Sequence, residues 1–128
     1  MDREQLNNIG AIILDAAITV HRELGPGLLE SAYQLALKKE LEIRGLGVRA
    51  KVPVELTYKD TSLGKAYEID LLVEEEIIIE NKSVESFAPV CTFQVITYLK
   101  LYKKKLGYLI NFNVPLLKEG FKRIVYNF

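Results

Sequence analysis

The chain has 128 residues, of which 49% are apolar and 27% charged, and seventeen Lys and Arg balance seventeen Asp and Glu. That size fits one domain, residues 1–128, large enough to bury a core without disulfides or structural metal. The balance excludes a disordered chain, no apolar run reaches the ~18 residues of a membrane span, and the lone Cys91 excludes a disulfide framework or cysteine-cage zinc site.

Residues 2–24 read as a helix, because Leu6, Ile9, Ile13, Ala16, Ala17, Val20 and Leu24 recur at three- and four-residue spacing. Gly25-Pro26-Gly27 stops it. A second helix is predicted over 28–44, with Leu29, Ala32, Tyr33, Ala36 and Leu37 on its apolar face and Gly45 or Gly47 at its C-cap. The period then changes to two. Val48 to Tyr58 reads as a strand in which Pro53 marks an edge or a bulge. Residues 60–64 are a turn, 65–73 a second strand, 74–76 a charged turn and 77–83 a third strand. Pro89 opens a third helix over 89–104, whose apolar content comes from Val90, Phe93, Ile96, Leu99 and Leu101. Strands are predicted at 107–112 and 121–128. The order α-α-β-β-β-α-β-β implies an α/β fold with a mixed sheet and helices packed on it. The start of the chain lacks a basic region followed by an apolar one, so the expectation is a cytoplasmic protein with no membrane partner. Zero net charge means that any nucleic-acid binding must come from a local patch.

The hairpin at 65–83 carries the chemistry. Centring its turn on Glu75 sets Asp70 opposite Glu80, with Cβ atoms about 4.5–5.5 Å apart. Period two puts Lys82 on the same face. Leu72 and Ile78 share that face, while Ile69, Leu71, Val73, Ile77 and Ile79 take the other, so both faces should be covered. A carboxylate pair beside a covered sheet is costly unless a proton is shared or a divalent cation bound between the oxygens. The bland alternative is an exposed hairpin in which Lys82 relieves the clash as a surface salt bridge, and a one-residue slip would dissolve the pairing.

Two further groups stand out. His21, Glu23, Glu30 and Tyr33 flank the Gly-Pro-Gly break, although a lone His or Glu near a helix end more often solvates or complements the dipole. Gln94 and Tyr98 lie four apart on one helix, followed by Lys100, Lys103, Lys104 and Lys105. That run is either a solvated helix end or a surface for phosphate backbones.

Gly27-Leu28-Leu29-Glu30-Ser31-Ala32-Tyr33 resembles the motif of the GxxExxY proteins, a compact group similar to the PD-(D/E)XK nuclease superfamily and its RecB-like branch. The likeness also takes in Val20 to Gly27, Ile69 to Val73, Glu80-Asn81-Lys82, Gln94 with Tyr98-Leu99-Lys100, and Leu109 to Phe112. It implies a restriction endonuclease-like three-layer sandwich, a central mixed sheet flanked by helices. It also implies roles. Asp70, Glu80 and the Asn81 carbonyl would ligate Mg²⁺ or Mn²⁺, with Glu30 at the edge of the metal site. Lys82 would position the attacking water. Gln94 and Tyr98 would line the site, and Tyr33, His21 and Lys100 would join them in substrate binding. Two positions depart from the pattern. Cys91 stands where the family commonly has a histidine, and Asn81 occupies a usually apolar position, where a packing cost is expected.

The resemblance implies a metal-dependent phosphodiesterase acting on nucleic acid, DNA by analogy. The alternative is a catalytically weakened nuclease-fold domain that binds nucleic acid or protein. A phosphate-ester enzyme for small nucleotides is a third option. The terminal strand 121–128 either completes its own sheet or pairs with another copy as a homodimer.

Overall fold

The computed structural model describes all of residues 1–128. Helix α1 is Arg3–Leu24 and α2 is Glu30–Ile43. Strands β1, Val48–Tyr58, β2, Thr61–Val73, and β3, Ile77–Lys82, follow. Helix α3, Pro89–Tyr102, precedes β4, Leu106–Asn111, and β5, Phe121–Val125. The five strands form one sheet in the order β1-β2-β3-β4-β5. Only β3 and β4 run parallel, and α3 forms the crossover that parallel neighbours require.

Local chemistry explains the boundaries. Asp2 and Gln5 form a reciprocal capping box at the start of α1. Gly45, with φ of 86°, follows α2 in the left-handed conformation that releases the chain toward β1. The β1–β2 turn is tighter than expected. Lys59 and Asp60 have φ of 49° and 63°, so two residues close the hairpin and β2 begins at Thr61. Pro53 does lie in an edge strand, with register shifts immediately after Val54. The C-terminal strand is shorter than predicted and pairs antiparallel with β4, completing the chain's own sheet. A 3₁₀ turn at Leu117–Gly120, not foreseen, leads into it.

The three layers bury two cores. Helices α1 and α2 cover one face of the sheet, where Ile13, Ala17, Tyr33 and Leu37 pack with Leu71, Val73, Ile77 and Ile79. On the other face, Val95, Tyr98 and Leu99 of α3 pack with Val52, Val54, Leu72, Ile78 and Leu109. Ile69 belongs to this second core, not to the face of Leu71 as simple alternation requires. The cause is local. Lys51 has φ of 54°, and although the β1–β2 register is unchanged from Ala50–Leu71 to Val52–Ile69, the side-chain alternation breaks beside Asp70. Beyond this break, Thr61–Glu68 is solvent-exposed and the β1–β2 hairpin forms an arm.

Gly120 is a packing requirement. A Cβ there would run into the Asn111 backbone carbonyl, which cannot swing aside as a side chain could. Gly120→Ala should lower stability by ~1–3 kcal/mol, as overpacking does, and thermal melting will show a drop of several degrees. An unchanged melting temperature would mean that the segment bearing Gly120 yields freely.

Candidate active site

The β2–β3 ladder pairs Leu71 with Ile79, Leu72 with Ile78 and Val73 with Ile77, the register centred on Glu75. One step further, the carboxylates replace the ladder. Glu80 Oε1 accepts the Asp70 N–H at 3.1 Å, and Asp70 Oδ2 accepts the Asn81 N–H at 3.0 Å. The two strands therefore part at a point where each carboxylate satisfies a backbone donor that the ladder has released.

Burial makes this pair unusual. Glu80 is only 3% exposed, and Asp70 is half-buried. Burial first, and the Asp70 charge second, push Glu80 up to about 9. Burial also raises Asp70, against the opposing hydrogen bonds from Glu80 and the Asn81 N–H and the charge of Lys82. Both shifts run the same way, so without a cation the pair favours holding a proton. Lys82 lies half-buried beside them and enters none of the ion pairs of the chain. Its ammonium thus remains available to a substrate or a water.

Helix α3 supplies the opposite wall. Lys82, Gln94 and Tyr98 line one cleft of about 450 Å³. Burial, then the charges of Glu80 and Asp70, push the Tyr98 hydroxyl up to about 12. It therefore stays protonated, a hydrogen-bond donor next to the acidic pair. Cys91 also lines this cleft, half-exposed.

Glu30 reaches the site from the start of α2. Its carboxylate accepts the Ser83 N–H at 3.4 Å, and its charge contributes to raising Asp70. Asn81 holds it there. The Asn81 side chain, 1% exposed, donates from Nδ2 to the Glu30 carbonyl at 2.9 Å. The expected packing cost is thus joined by a tie between β3 and α2, while Asn81 Oδ1 is left buried without a partner. Gln34, one turn along α2, donates to the Asp70 carbonyl at 3.2 Å.

Three residues singled out from the sequence lie elsewhere. Tyr33 is wholly buried, stacked on Phe112 at 4.5 Å, with its hydroxyl donating to the Gly25 carbonyl and accepting the Leu28 N–H. It staples the loop ahead of Glu30, so its role is to place that residue. His21 meets the Val114 carbonyl through Nε2 at 2.7 Å and lines a different hollow with Arg22 and Pro115. Lys100 is exposed in a separate basic hollow with Lys103, Lys104 and Lys105.

Other site residues escaped the sequence reading. Tyr67 lines the cleft, its ring 5.5 Å from that of Tyr98. Its exposed aromatic position three residues before Asp70 was the available signal. Asn111, paired with Lys82 across β3–β4, bonds the Val84 N–H and carbonyl and fixes the chain leaving Lys82. Val90 and Phe93, part of the apolar content read for α3, are each 65% exposed at the mouth of the cleft.

A family model of the PD-(D/E)XK nuclease superfamily matches residues 7–124. The chain belongs to this superfamily. No curated protein and no solved structure matches it significantly. The five-stranded mixed sheet between helices is the restriction endonuclease-like architecture expected of such a chain. Nucleases of the superfamily generally use divalent metals, and the residues present suit one. Asp70 and Glu80 each have one oxygen anchored by a backbone N–H and a second left for coordination. No group of three or more His, Cys, Asp or Glu side chains is arranged to hold a metal. A hard cation that completes its shell with carbonyl and water oxygens fits such a donor set.

Proposed function

We propose that this nuclease-superfamily domain hydrolyses phosphodiester bonds of nucleic acid, DNA foremost, with Mg²⁺ or Mn²⁺ as cofactor. The observation that carries this reading is the buried Asp70–Glu80 pair with the unpaired Lys82 on the same hairpin. Keeping two carboxylates together in a covered site is expensive, and a cation offsets that cost. Asp70, Glu80 and the Asn81 carbonyl would hold the ion, with Glu30 assisting through its place beside Asp70. A bound ion supplies Lewis-acid stabilisation of phosphate charge and makes a coordinated water more acidic.

The protein's own groups do the rest. Lys82 orients the attacking water and offsets charge gathering on the phosphate oxygens. Tyr98 and Gln94 hold the phosphate or sugar from the α3 side. The GxxExxY likeness implies a place for Glu30 at the edge of the metal site, and the Tyr33–Gly25 hydrogen bond that fixes the loop ahead of Glu30 supports this reading.

The deciding experiment incubates the protein with single- and double-stranded DNA and RNA across a divalent-metal panel, with an Asp70→Asn control. Metal-dependent cleavage lost in the control is the expected result; no cleavage of any substrate would defeat the proposal. Lys82→Ala should retain metal binding yet lose cleavage by roughly 10²–10⁴-fold, the range for a group that assists proton transfer. Cleavage surviving that change would remove the role given to Lys82.

One observation favours a second reading. Each carboxylate of the acidic pair is already satisfied by a backbone N–H, and no group of three His, Cys, Asp or Glu side chains is arranged there to hold a metal. A nuclease-fold module that binds nucleic acid or protein without cutting would be stable in that form. A metal titration that leaves the melting curve unchanged would select it.

A further inference from the structure

Resting on that reading and deepening it, we propose that the cleft between β2 and α3 takes a single strand, with unpaired bases stacked on Phe93 and Tyr67. The rim carries the argument. Phe93 and Val90, both 65% exposed on the first turns of α3, and Tyr67, 37% exposed on the β1–β2 arm, open onto the same cleft as Lys82. These side chains have no role in the core, because α3 packs on the sheet through Val95, Tyr98 and Leu99.

Burial elsewhere explains why this matters. An aromatic ring left in water at the mouth of a cleft retains a π-face for a ligand, and base–aromatic stacking contributes about 1–3 kcal/mol per base. A duplex offers no free base faces. It is gripped instead by Lys and Arg along two phosphate backbones. Here Lys82 is the sole charged residue lining the cleft, and the lysine cluster at 100–105 surrounds a separate hollow. The Tyr67–Tyr98 contact, rings 5.5 Å apart and tilted by 58°, braces Tyr67. A strand entering here presents its bases to Phe93 and Tyr67 and its phosphate to Lys82.

The test measures binding by fluorescence anisotropy in EDTA, where cleavage cannot occur. The probes are a labelled oligothymidine and a duplex of equal length, with wild type, Phe93→Ala and Tyr67→Ala. Both positions are exposed enough for the variants to fold, and melting curves verify this. Tighter binding of the single strand, weakened about 5- to 150-fold in Phe93→Ala with a smaller loss in Tyr67→Ala, supports the proposal. Equal or tighter duplex binding overturns it, as does unaltered single-strand affinity in both variants. Binding of neither oligonucleotide also overturns it and assigns the rim to a protein partner. Cleavage is followed separately with Mg²⁺ and Mn²⁺. Phe93-dependent single-strand binding without cleavage removes the hydrolytic reading alone. Cleavage indifferent to Phe93 and Tyr67 removes the stacking role alone.

Discussion

Asp70→Asn should abolish the rise in melting temperature that Mg²⁺ or Mn²⁺ gives the wild type, and should lower cleavage by about 10³-fold. The magnitude follows from losing a charged oxygen ligand, an effect of several kcal/mol on the transition state. The fold should survive, because the oxygen of the introduced amide can still accept the Asn81 N–H that Asp70 Oδ2 now accepts at 3.0 Å. Stability without metal should even increase at neutral pH, since one of two crowded carboxylates is gone. Thermal melts with and without metal and a cleavage assay on the same preparations separate these effects. A metal-induced shift that persists in Asp70→Asn would place the ion elsewhere. A variant that unfolds would show Asp70 to be chiefly a backbone cap, and Glu80→Gln would then take its place in the assay.

The second large effect is in pH. Glu80 has its folded value raised from 4.5 to about 9, by burial and then by Asp70. The folded state therefore holds a proton that the unfolded chain releases above 4.5. The stabilising contribution is thus complete below about 4.5 and is lost as pH rises toward about 9. Asp70, raised as well, adds in the same direction. Metal-free protein in EDTA should lose stability, on the order of a few kcal/mol, between about pH 5 and 9. Glu80→Gln should flatten that slope, because a neutral side chain has no proton to lose. Mg²⁺ competes with the proton for the same oxygens, so the stabilisation it gives should grow over the same pH range. Chemical denaturation at several pH values with EDTA or Mg²⁺ measures both slopes. A metal-free stability that climbs steadily across that range would contradict the proton held by the pair and the buried placement of Glu80.

These expectations all depend on a site that is partly legible in the amino-acid order. The two apolar runs on either side of Glu74-Glu75-Glu76 are joined by a short charged turn, so the register that sets Asp70 beside Glu80 follows from centring that turn. The helices are legible for a similar reason: apolar residues at three- and four-residue spacing, ended by Gly25-Pro26-Gly27 and by Gly45, have one low-energy reading. The break in side-chain alternation before Asp70 is not. It arises from the left-handed Lys51 and moves Ile69 to the α3 core, a change in the backbone that hydropathy does not record.

Nearly every misplaced residue was misplaced for one reason, the surface that lies over it. Tyr33 and Phe93 are both aromatic residues on helices; one is sealed against Phe112, and the other stands in water at the cleft. Lys100 shares α3 with Gln94 and Tyr98 but faces another hollow, because a helix turns its side chains through a full circle in about 3.6 residues, and His21 lies on α1, which lines none of the cleft. The elements, the hairpin register and the proximity of two carboxylates and a lysine are written in the chain itself, since each depends on residues close together along it. Packing between distant segments added the rest. It buried Glu80 enough to keep a proton, brought Gln94, Tyr98 and Phe93 over the hairpin on α3, and tied Glu30 to the site through Asn81. Those outcomes depend on which remote segment excludes water from each group, and water exclusion is a property of packed surfaces that no local pattern encodes.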